Sequence, residues 1–143
     1  MITQPNQNSQ SSKKILIADD DTGLLEAMSC RLEAAGYTVF TTQDGYQALA
    51  IARRELPDLL ILDINMPAGS GLSVLERVRV MDTLEQTPVI FITGQEPGSV
   101  TLPDQHSGHE ILIHKPFDTG TLMATINECL DPRGSPNPSV YVL

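Results

Sequence analysis

Five short apolar runs recur along the 143-residue chain, and four of them precede a segment with helical periodicity. The runs are KILIA (14–18), YTVFTT (37–42), DLLILD (58–63), PVIFIT (88–93) and EILIH (110–114). Near-continuous apolar runs of this kind predict strands that are covered on both faces, as in a parallel sheet. Because crossovers between parallel strands are right-handed, the alternation predicts a doubly wound α/β fold.

The segments between these runs carry apolar side chains at helical spacing, with one exception. Helices are predicted over residues 22–35, 44–56, 71–81 and 118–130, each with one apolar face toward the sheet. The exception lies between the fourth and fifth runs, where Pro and Gly residues interrupt any longer apolar stripe. The sequence therefore predicts a short or irregular fourth helix in this segment.

The two ends of the chain differ in composition from its middle. Residues 1–12 are rich in Gln, Asn and Ser and have no apolar periodicity, which predicts a disordered leader. Residues 132–143 are rich in Pro, Ser and Asn, and a flexible tail is expected there. Between them, residues 13–131 are predicted to form one folded domain.

The charge balance argues against several classes of ligand. Nine Lys and Arg residues against eighteen Asp and Glu residues give a formal charge of −9, which disfavours direct binding to nucleic acid or to an anionic membrane. The apolar runs are too short to span a bilayer and the N-terminus lacks a signal-peptide pattern, so a cytoplasmic protein is expected. Cys30 and Cys129 fall inside predicted helices and are expected to be reduced and non-catalytic.

Acidic, hydroxyl and basic side chains stand at the ends of four predicted strands, where open α/β sheets bind their ligands. They are Asp19, Asp20 and Asp21 after the first strand, Asp63 at the third, Thr93 with Gly94 at the fourth, and Lys115 with Pro116 after the fifth. Clustered carboxylates with a single lysine repel one another unless a hard divalent cation takes up their charge. Ligands that are all oxygen favour Mg²⁺.

Some of these residues have a plainer interpretation as well. Asp21 fits the N-cap of the helix predicted to begin at residue 22 better than it fits a metal ligand. His106, His109 and His114 do not complete a zinc pattern with any cysteine, and we expect them to be surface residues.

Four motifs in this order resemble those of the response-regulator receiver domains of two-component signalling, in particular stand-alone receivers of the chemotaxis type. The motifs are IADDD (17–21), LDINMPAGSGL (62–72), FITG (91–94) and IHKPF (113–117), and the resemblance covers about residues 13–131. It implies an α/β fold with a five-stranded parallel sheet in the flavodoxin-like order 2-1-3-4-5.

The resemblance also implies a phosphoacceptor and a metal site. Asp63 is expected to be the nucleophile that accepts a phosphoryl group from a phosphohistidine. Asp19, Asp20, Asp63 and the backbone carbonyl of Asn65 are expected to hold Mg²⁺, with Mn²⁺ as an alternative. Met66, Pro67 and Gly71 are expected to shape the loop after Asp63, where Gly69 and Gly71 are able to take positive φ.

Further residues are expected to contact the phosphoryl group. Lys115 would pair with a phosphoryl oxygen, aimed by a cis peptide bond to Pro116, and the Thr93 hydroxyl would form a hydrogen bond there. Gly94 would let the backbone approach closely and offers its N–H as a donor.

Two other features are expected to govern the lifetime and the output of the phosphorylated state. Asn65 and Gln95 are expected to screen the acyl phosphate from water and so to set its lifetime. Leu112 stands where the family carries a switching aromatic residue, and Pro and Gly residues interrupt the predicted fourth helix. We therefore expect residues 95–110 to respond to phosphorylation by a change of order.

The implied partners are a histidine kinase or a histidine phosphotransfer protein as donor and a protein as downstream target. The chain would be a monomer or a phosphorylation-dependent dimer, and it would assist only its own phosphorylation and dephosphorylation rather than act as an enzyme. The alternatives are a docking pseudo-receiver, an aspartyl-nucleophile phosphohydrolase and a nucleotide-binding module. Asn65 stands where the hydrolases need a second Asp, and neither GxGxxG nor GxxxxGK[ST] follows the first strand.

Overall fold

A computed structural model of the chain describes residues 12–100, 102 and 109–131. Five strands and four helices follow one another along these residues. They are β1 (Lys14–Ala18), α1 (Thr22–Ala34), β2 (Thr38–Thr42), α2 (Gly45–Glu55), β3 (Leu59–Asp63), α3 (Gly71–Val78), β4 (Val89–Thr93), β5 (Glu110–His114) and α4 (Thr119–Leu130). The predicted elements are present, although α3 ends at Val78 rather than at residue 81. Within the described ranges, no helix has the length and apolar character needed to cross a membrane.

The five strands form one parallel sheet in the order β2-β1-β3-β4-β5. β1 lies between β2 and β3, with Leu16 opposite both Phe40 and Leu60. β4 pairs with β3 on one side and with β5 on the other. The predicted doubly wound α/β fold and its strand order are therefore confirmed.

Side chains that alternate along each strand fill two separate apolar layers. In β1, Leu16 and Ala18 belong to the layer that contains buried residues of α2 and α3. Ile15 and Ile17 belong to the opposite layer, with buried residues of α1 and α4. Because both faces of the sheet are covered, the strand sequences are nearly continuous in apolar residues rather than alternating.

Each helix begins after a residue whose side chain caps its N-terminus. Asp21 Oδ1 accepts a hydrogen bond from the N–H of Leu24 at 3.1 Å, which confirms the predicted cap of α1. Asp44, Ser70 and Asp118 play the same part for α2, α3 and α4. These caps satisfy backbone donors at the edge of the sheet where the site lies.

The segment after β4 departs from the alternation of strands and helices. Over residues 94–100 the chain turns instead of forming a helix, with the N–H of Ser99 donating to the Glu96 carbonyl at 3.0 Å and Gly98 at a φ of 90°. The predicted irregular fourth helix is thus irregular over these residues. The remainder of that prediction, over residues 101 and 103–108, lies outside the described residues. So do the predicted tail and, apart from residue 12, the predicted leader.

A buried ion pair that the sequence did not indicate joins α3 to β5. Arg79, which follows the last residue of α3, donates to Oε2 of Glu110 from Nε at 2.9 Å and from Nη2 at 2.6 Å. Its Nη1 donates to the carbonyl of Leu84 at 3.0 Å. The Glu110 side chain is fully buried and that of Arg79 is 12% exposed. Several charge-assisted bonds therefore offset the cost of removing these charges from water.

Candidate functional site

Three carboxylates lie together at the carboxyl edge of the sheet. Asp19 directly follows β1 and Asp63 ends the neighbouring strand β3, so parallel pairing brings both to the same edge. Asp20 joins them, and one oxygen of each carboxylate lies within 4.8 Å of the other two. Asp19 and Asp63 are buried, whereas Asp20 is exposed. The predicted acidic residues therefore form one pocket that solvent reaches from the side of Asp20.

Backbone N–H groups orient the two buried carboxylates. The N–H of Asp21 donates to Asp19 Oδ1 at 2.9 Å, and that of Asn65 donates to Asp63 Oδ1 at 3.1 Å. The other oxygen of each faces Lys115, whose Nζ lies 3.0 Å from Asp19 Oδ2 and 3.6 Å from Asp63 Oδ2. Asp19 Oδ2 is buried and has no hydrogen bond of regular geometry among the described residues, so the lysine compensates it through charge.

Backbone contacts fix the position of Lys115 at the end of β5. Its N–H donates to the carbonyl of Thr93 at 2.7 Å, which continues the pairing of β4 with β5 by one residue. The peptide bond to Pro116 is cis, as predicted. The side chain is 27% exposed, so its ammonium group borders both the buried acids and solvent.

Burial and charge shift the pKa of two groups in the pocket. Burial is the main cause that raises the pKa of Asp63, and repulsion from Asp19 adds to it, while the Asn65 N–H and Lys115 act in the opposite direction. Burial alone would lower the pKa of Lys115, but the close ion pair with Asp19 and the charge of Asp63 outweigh it and raise that pKa. Lys115 is therefore a firmly protonated cation beside a carboxylate whose ionisation is opposed.

Two glycines shape the loop that follows Asp63, for different reasons. Gly69 has a φ of 119°, which confirms the prediction of a positive φ there. Gly71, which was also expected to be able to take a positive φ, begins α3 and does not use that conformation. A Cβ on Gly71 would lie 2.4 Å from the carbonyl oxygen of Asp63. Close approach of two backbone segments, rather than a left-handed conformation, requires glycine at this position.

Residues at the end of β4 stand beside the pocket. Thr93 is fully buried, and its Oγ1 accepts a hydrogen bond from the N–H of Gln95 at 3.0 Å. Gly94 is exposed, and apart from its chain neighbours no heavy atom of the described residues lies within 4 Å of the place that a Cβ would take there. Leu112 is buried in the apolar layer against α2 and α3. Its predicted switching role, like the roles of Gly94 and Gln95 toward phosphate, stays a prediction.

One functional candidate near the pocket was missed. His114, expected at the surface, is half-buried at the end of β5, and its Nδ1 lies 3.2 Å from the carbonyl oxygen of Gln95. The alternation of side chains along β5 indicated that His114 faces inward, because residue 114 lies on the same side of the strand as the buried Leu112. His109 is also half-buried, and His106 lies outside the described residues.

The cysteines lie away from the pocket. Cys30 is exposed, and burial together with the charge of Glu128 raises the pKa of Cys129 to about 11. A thiol of that pKa is a poor nucleophile at neutral pH because almost none of it is thiolate.

The donor set of the pocket fits Mg²⁺. All three converging side chains are carboxylates, and one lysine leaves them with an excess of negative charge. Hard oxygen ligands, a small number of them and one face open to water are the features that Mg²⁺ sites in proteins share.

The model of the response regulator receiver domain family matches residues 15–127, and the chain belongs to this family. A receiver domain is a phospho-accepting module of two-component signalling, which implies a histidine kinase or phosphotransfer partner. The acidic pocket of Asp19, Asp20 and Asp63 is consistent with Mg²⁺-dependent phosphorylation of an aspartate.

Similar proteins differ in how much of their own length the matched region covers. The transcriptional regulatory protein PrrA of Mycobacterium tuberculosis is 33% identical over 125 residues, which are 87% of this chain and 53% of PrrA. The chain therefore spans about half the length of that curated relative. The chemotaxis response regulator CheY4 of Vibrio cholerae has a similar structure, with a TM-score of 0.70 and 30% identity over 83% of this chain and 99% of CheY4.

A third similar structure is informative for the fold. The receiver domain of the sensor histidine kinase PA1611 from Pseudomonas aeruginosa, which has a magnesium ion coordinated in its active-site cleft, gives a TM-score of 0.71. It is 23% identical over 81% of this chain and 95% of that domain.

Proposed function

We propose that Asp63 accepts a phosphoryl group from a phosphohistidine, with Mg²⁺ held by Asp19, Asp20, Asp63 and the backbone carbonyl of Asn65. The observation that carries this proposal is the convergence of the Asp19 and Asp63 carboxylates on the Nζ of Lys115, at 3.0 and 3.6 Å. A carboxylate that is buried, oriented by a backbone N–H and bordered by a cation can be approached by a phosphodonor from the open side of the pocket.

In this reaction an oxygen of Asp63 attacks phosphorus while the P–N bond of the phosphohistidine breaks. The electron pair of that bond returns to the imidazole nitrogen of the donor. Lys115 then pairs with an oxygen of the phosphoryl group, because its ammonium already lies near the nucleophile. Bound Mg²⁺ would supply further neutralisation of phosphoryl charge in this pocket.

The Thr93 hydroxyl already accepts one hydrogen bond and can still donate one. A hydroxyl has one donor hydrogen, and the bond from the N–H of Gln95 occupies a lone pair of Oγ1 and not that hydrogen. The hydrogen remains available for a phosphoryl oxygen. The N–H of Gly94 is the further donor we propose, since the space beside Gly94 is open.

Asn65 and Gln95 set the lifetime of the aspartyl phosphate in this proposal by screening it from water. Asn65 follows the nucleophile in the loop and Gln95 follows Thr93, so both side chains start close to the pocket. An unchanged dephosphorylation rate after exchange of both residues would rule this out.

The donor is a histidine kinase or a histidine phosphotransfer protein, and the downstream target is another protein. We further propose that residues 13–131 are the independently folding receiver, that residues 1–12 and 132–143 are a leader and a tail, and that the receiver acts in the cytoplasm. Support for a protein target comes from the formal charge of −9, which opposes direct contact with nucleic acid or an anionic membrane. Sedimentation measurements with and without phosphodonor distinguish a monomer from a dimer that forms on phosphorylation.

Incubation with acetyl phosphate and Mg²⁺ tests the proposal by intact mass. We expect one added phosphate in the wild type, none in Asp63→Asn, and none after chelation of the metal. Asp44→Asn is the matched control, because Asp44 caps α2 and is not one of the three converging carboxylates, and Asn caps a helix as well as Asp does. No adduct with any donor would favour a docking pseudo-receiver, and continuous turnover of phosphate esters would favour a phosphohydrolase.

A further inference from the structure

The ring of His114 links the end of β5 to the loop that follows β4. Thr93 and His114 lie opposite each other where these strands pair. His114 Nδ1 is 3.2 Å from the carbonyl oxygen of Gln95, and the N–H of Gln95 donates to Thr93 Oγ1 at 3.0 Å. A hydrogen-bonded chain therefore runs from β5 through Gln95 to the hydroxyl beside the phosphorylation pocket.

The contact determines which ring nitrogen carries the shared hydrogen. A carbonyl oxygen can only accept a hydrogen bond, so Nδ1 of His114 must donate to Gln95. Nε2 of the same ring is buried and has no hydrogen-bond partner in the described part of the chain. The geometry thus requires a hydrogen on Nδ1 and provides no acceptor for one on Nε2.

Apart from these two hydrogen bonds, the hydrogen bond of the Gln95 side chain in the described part of the chain stays within its own loop. Gly94, which precedes it, is exposed and has no side chain that could pack. The Oγ of Ser99 lies 3.4 Å from Gln95 Oε1 and donates to the carbonyl of Glu96 at 2.6 Å, but both contacts stay within the loop. Among the described residues, His114 supplies the hydrogen bond from this loop to β5.

We propose that His114 is a positioning residue for the phosphorylated state. Its Nδ1–H holds Gln95 so that the Gln95 side chain screens the aspartyl phosphate and the Thr93 hydroxyl keeps its hydrogen for the phosphoryl group. The inference rests on the proposed function, since a phosphate lifetime exists only if Asp63 is phosphorylated. The role belongs to the donor at Nδ1 and not to the bulk of the ring.

The half-life of the phosphorylated full chain tests this role. The protein is phosphorylated with acetyl phosphate and Mg²⁺, the donor is removed, and loss of the added mass is followed. His114→Leu should shorten the half-life by roughly fivefold, the factor that corresponds to one neutral hydrogen bond of typical strength. His114→Asn should restore most of the half-life, because the amide nitrogen of Asn can take the place of Nδ1.

Two further variants keep the test decisive. Ser99→Ala loosens the loop without touching His114, and its half-life should stay near that of the wild type. His114→Gln carries its amide one bond farther from the backbone and should behave like His114→Leu, so the Asn and Gln variants can be compared even if the Leu variant does not fold. Equal half-lives in the Asn and Gln variants, or a Ser99→Ala effect as large as that of His114→Leu, would overturn the proposal.

The ¹⁵N resonances of the His114 ring give a readout that does not depend on phosphorylation. We expect a hydrogen on Nδ1 in the free protein, and a ring protonated on Nε2 alone would contradict the proposed contact. If the wild type takes up no phosphate, the proposed function fails, and with it the lifetime role. If all variants are phosphorylated and decay alike, the proposed function stands and the role of His114 fails.

Discussion

At the scale of single residues, the position of Asp63 depends on a close approach between two backbone segments. The carbonyl oxygen of Asp63 lies 2.4 Å from where a Cβ on Gly71 would be. The loop that begins at Asp63 therefore packs directly on the first residue of α3, and Asp63 is held by backbone contact as well as by the N–H of Asn65.

Gly71→Ala should destabilise the fold by roughly 1–3 kcal/mol, the usual cost of adding a methyl group to a closely packed place. The contact is with backbone, which cannot rotate away as a side chain can. Gly94→Ala is the matched control, because the space around Gly94 is open and its φ is not positive. Urea unfolding of both variants measures the difference, and equal midpoints for the two would contradict the packing argument.

Individual site residues were predictable from sequence to different degrees. Asp19, Asp63 and Lys115 were identified because each stands next to an apolar run that had to be a strand, and parallel strands end at one edge. The reason for Gly71 and the contact of His114 with the carbonyl of Gln95 were not predictable in this way, although the alternation along β5 indicated the side on which His114 lies. Both depend on which distant segment packs against the residue, and local periodicity carries no information about that.

At the scale of secondary-structure elements, a buried ion pair links α3 to β5 in addition to the apolar layer that contains residues of both. Arg79→Met would leave the Glu110 carboxylate buried without its guanidinium partner, and breaking such a pair costs about 3–5 kcal/mol. We expect a correspondingly lower free energy of unfolding in urea. The double variant Arg79→Met/Glu110→Leu should recover most of this loss, because no uncompensated charge remains.

Arg77→Met is the control for this experiment, since Arg77 lies exposed on the same helix. Substitutions at such surface positions usually change stability by less than about 0.5 kcal/mol. An Arg79→Met midpoint as high as that of Arg77→Met would mean that the ion pair contributes nothing to the link between α3 and β5.

The elements themselves were largely predictable, and the exceptions have physical causes. Strands and helices with clear periodicity were identified along with the N-cap of α1. After β4, Pro97 and Gly98 indicated an interruption, but they did not indicate the turn that Ser99 and Glu96 close by hydrogen bonding. The pairing of Arg79 with Glu110 joins residues far apart in sequence, and neither residue lies in a motif that would point to the other.

At the scale of the whole molecule, the parallel sheet turns separate sequence motifs into one pocket. β1, β3, β4 and β5 each place a residue at the same edge, because the strands pair in register and two apolar layers cover the sheet. The family match over residues 15–127 agrees with this arrangement. Because relatives such as PrrA are about twice as long as the matched region, the receiver is a unit that occurs joined to other domains.

The assignment of Asp63 as the phosphoacceptor can be tested by chemical mapping of the phosphorylated residue. Borohydride reduces an aspartyl phosphate to homoserine, so the protein is phosphorylated with acetyl phosphate and Mg²⁺, reduced, digested and sequenced by mass spectrometry. We predict homoserine at position 63 alone, and only in samples that contained Mg²⁺. Homoserine at Asp19, Asp20 or any other acidic residue, or unmodified Asp63 in protein that carried the added phosphate, would contradict the account.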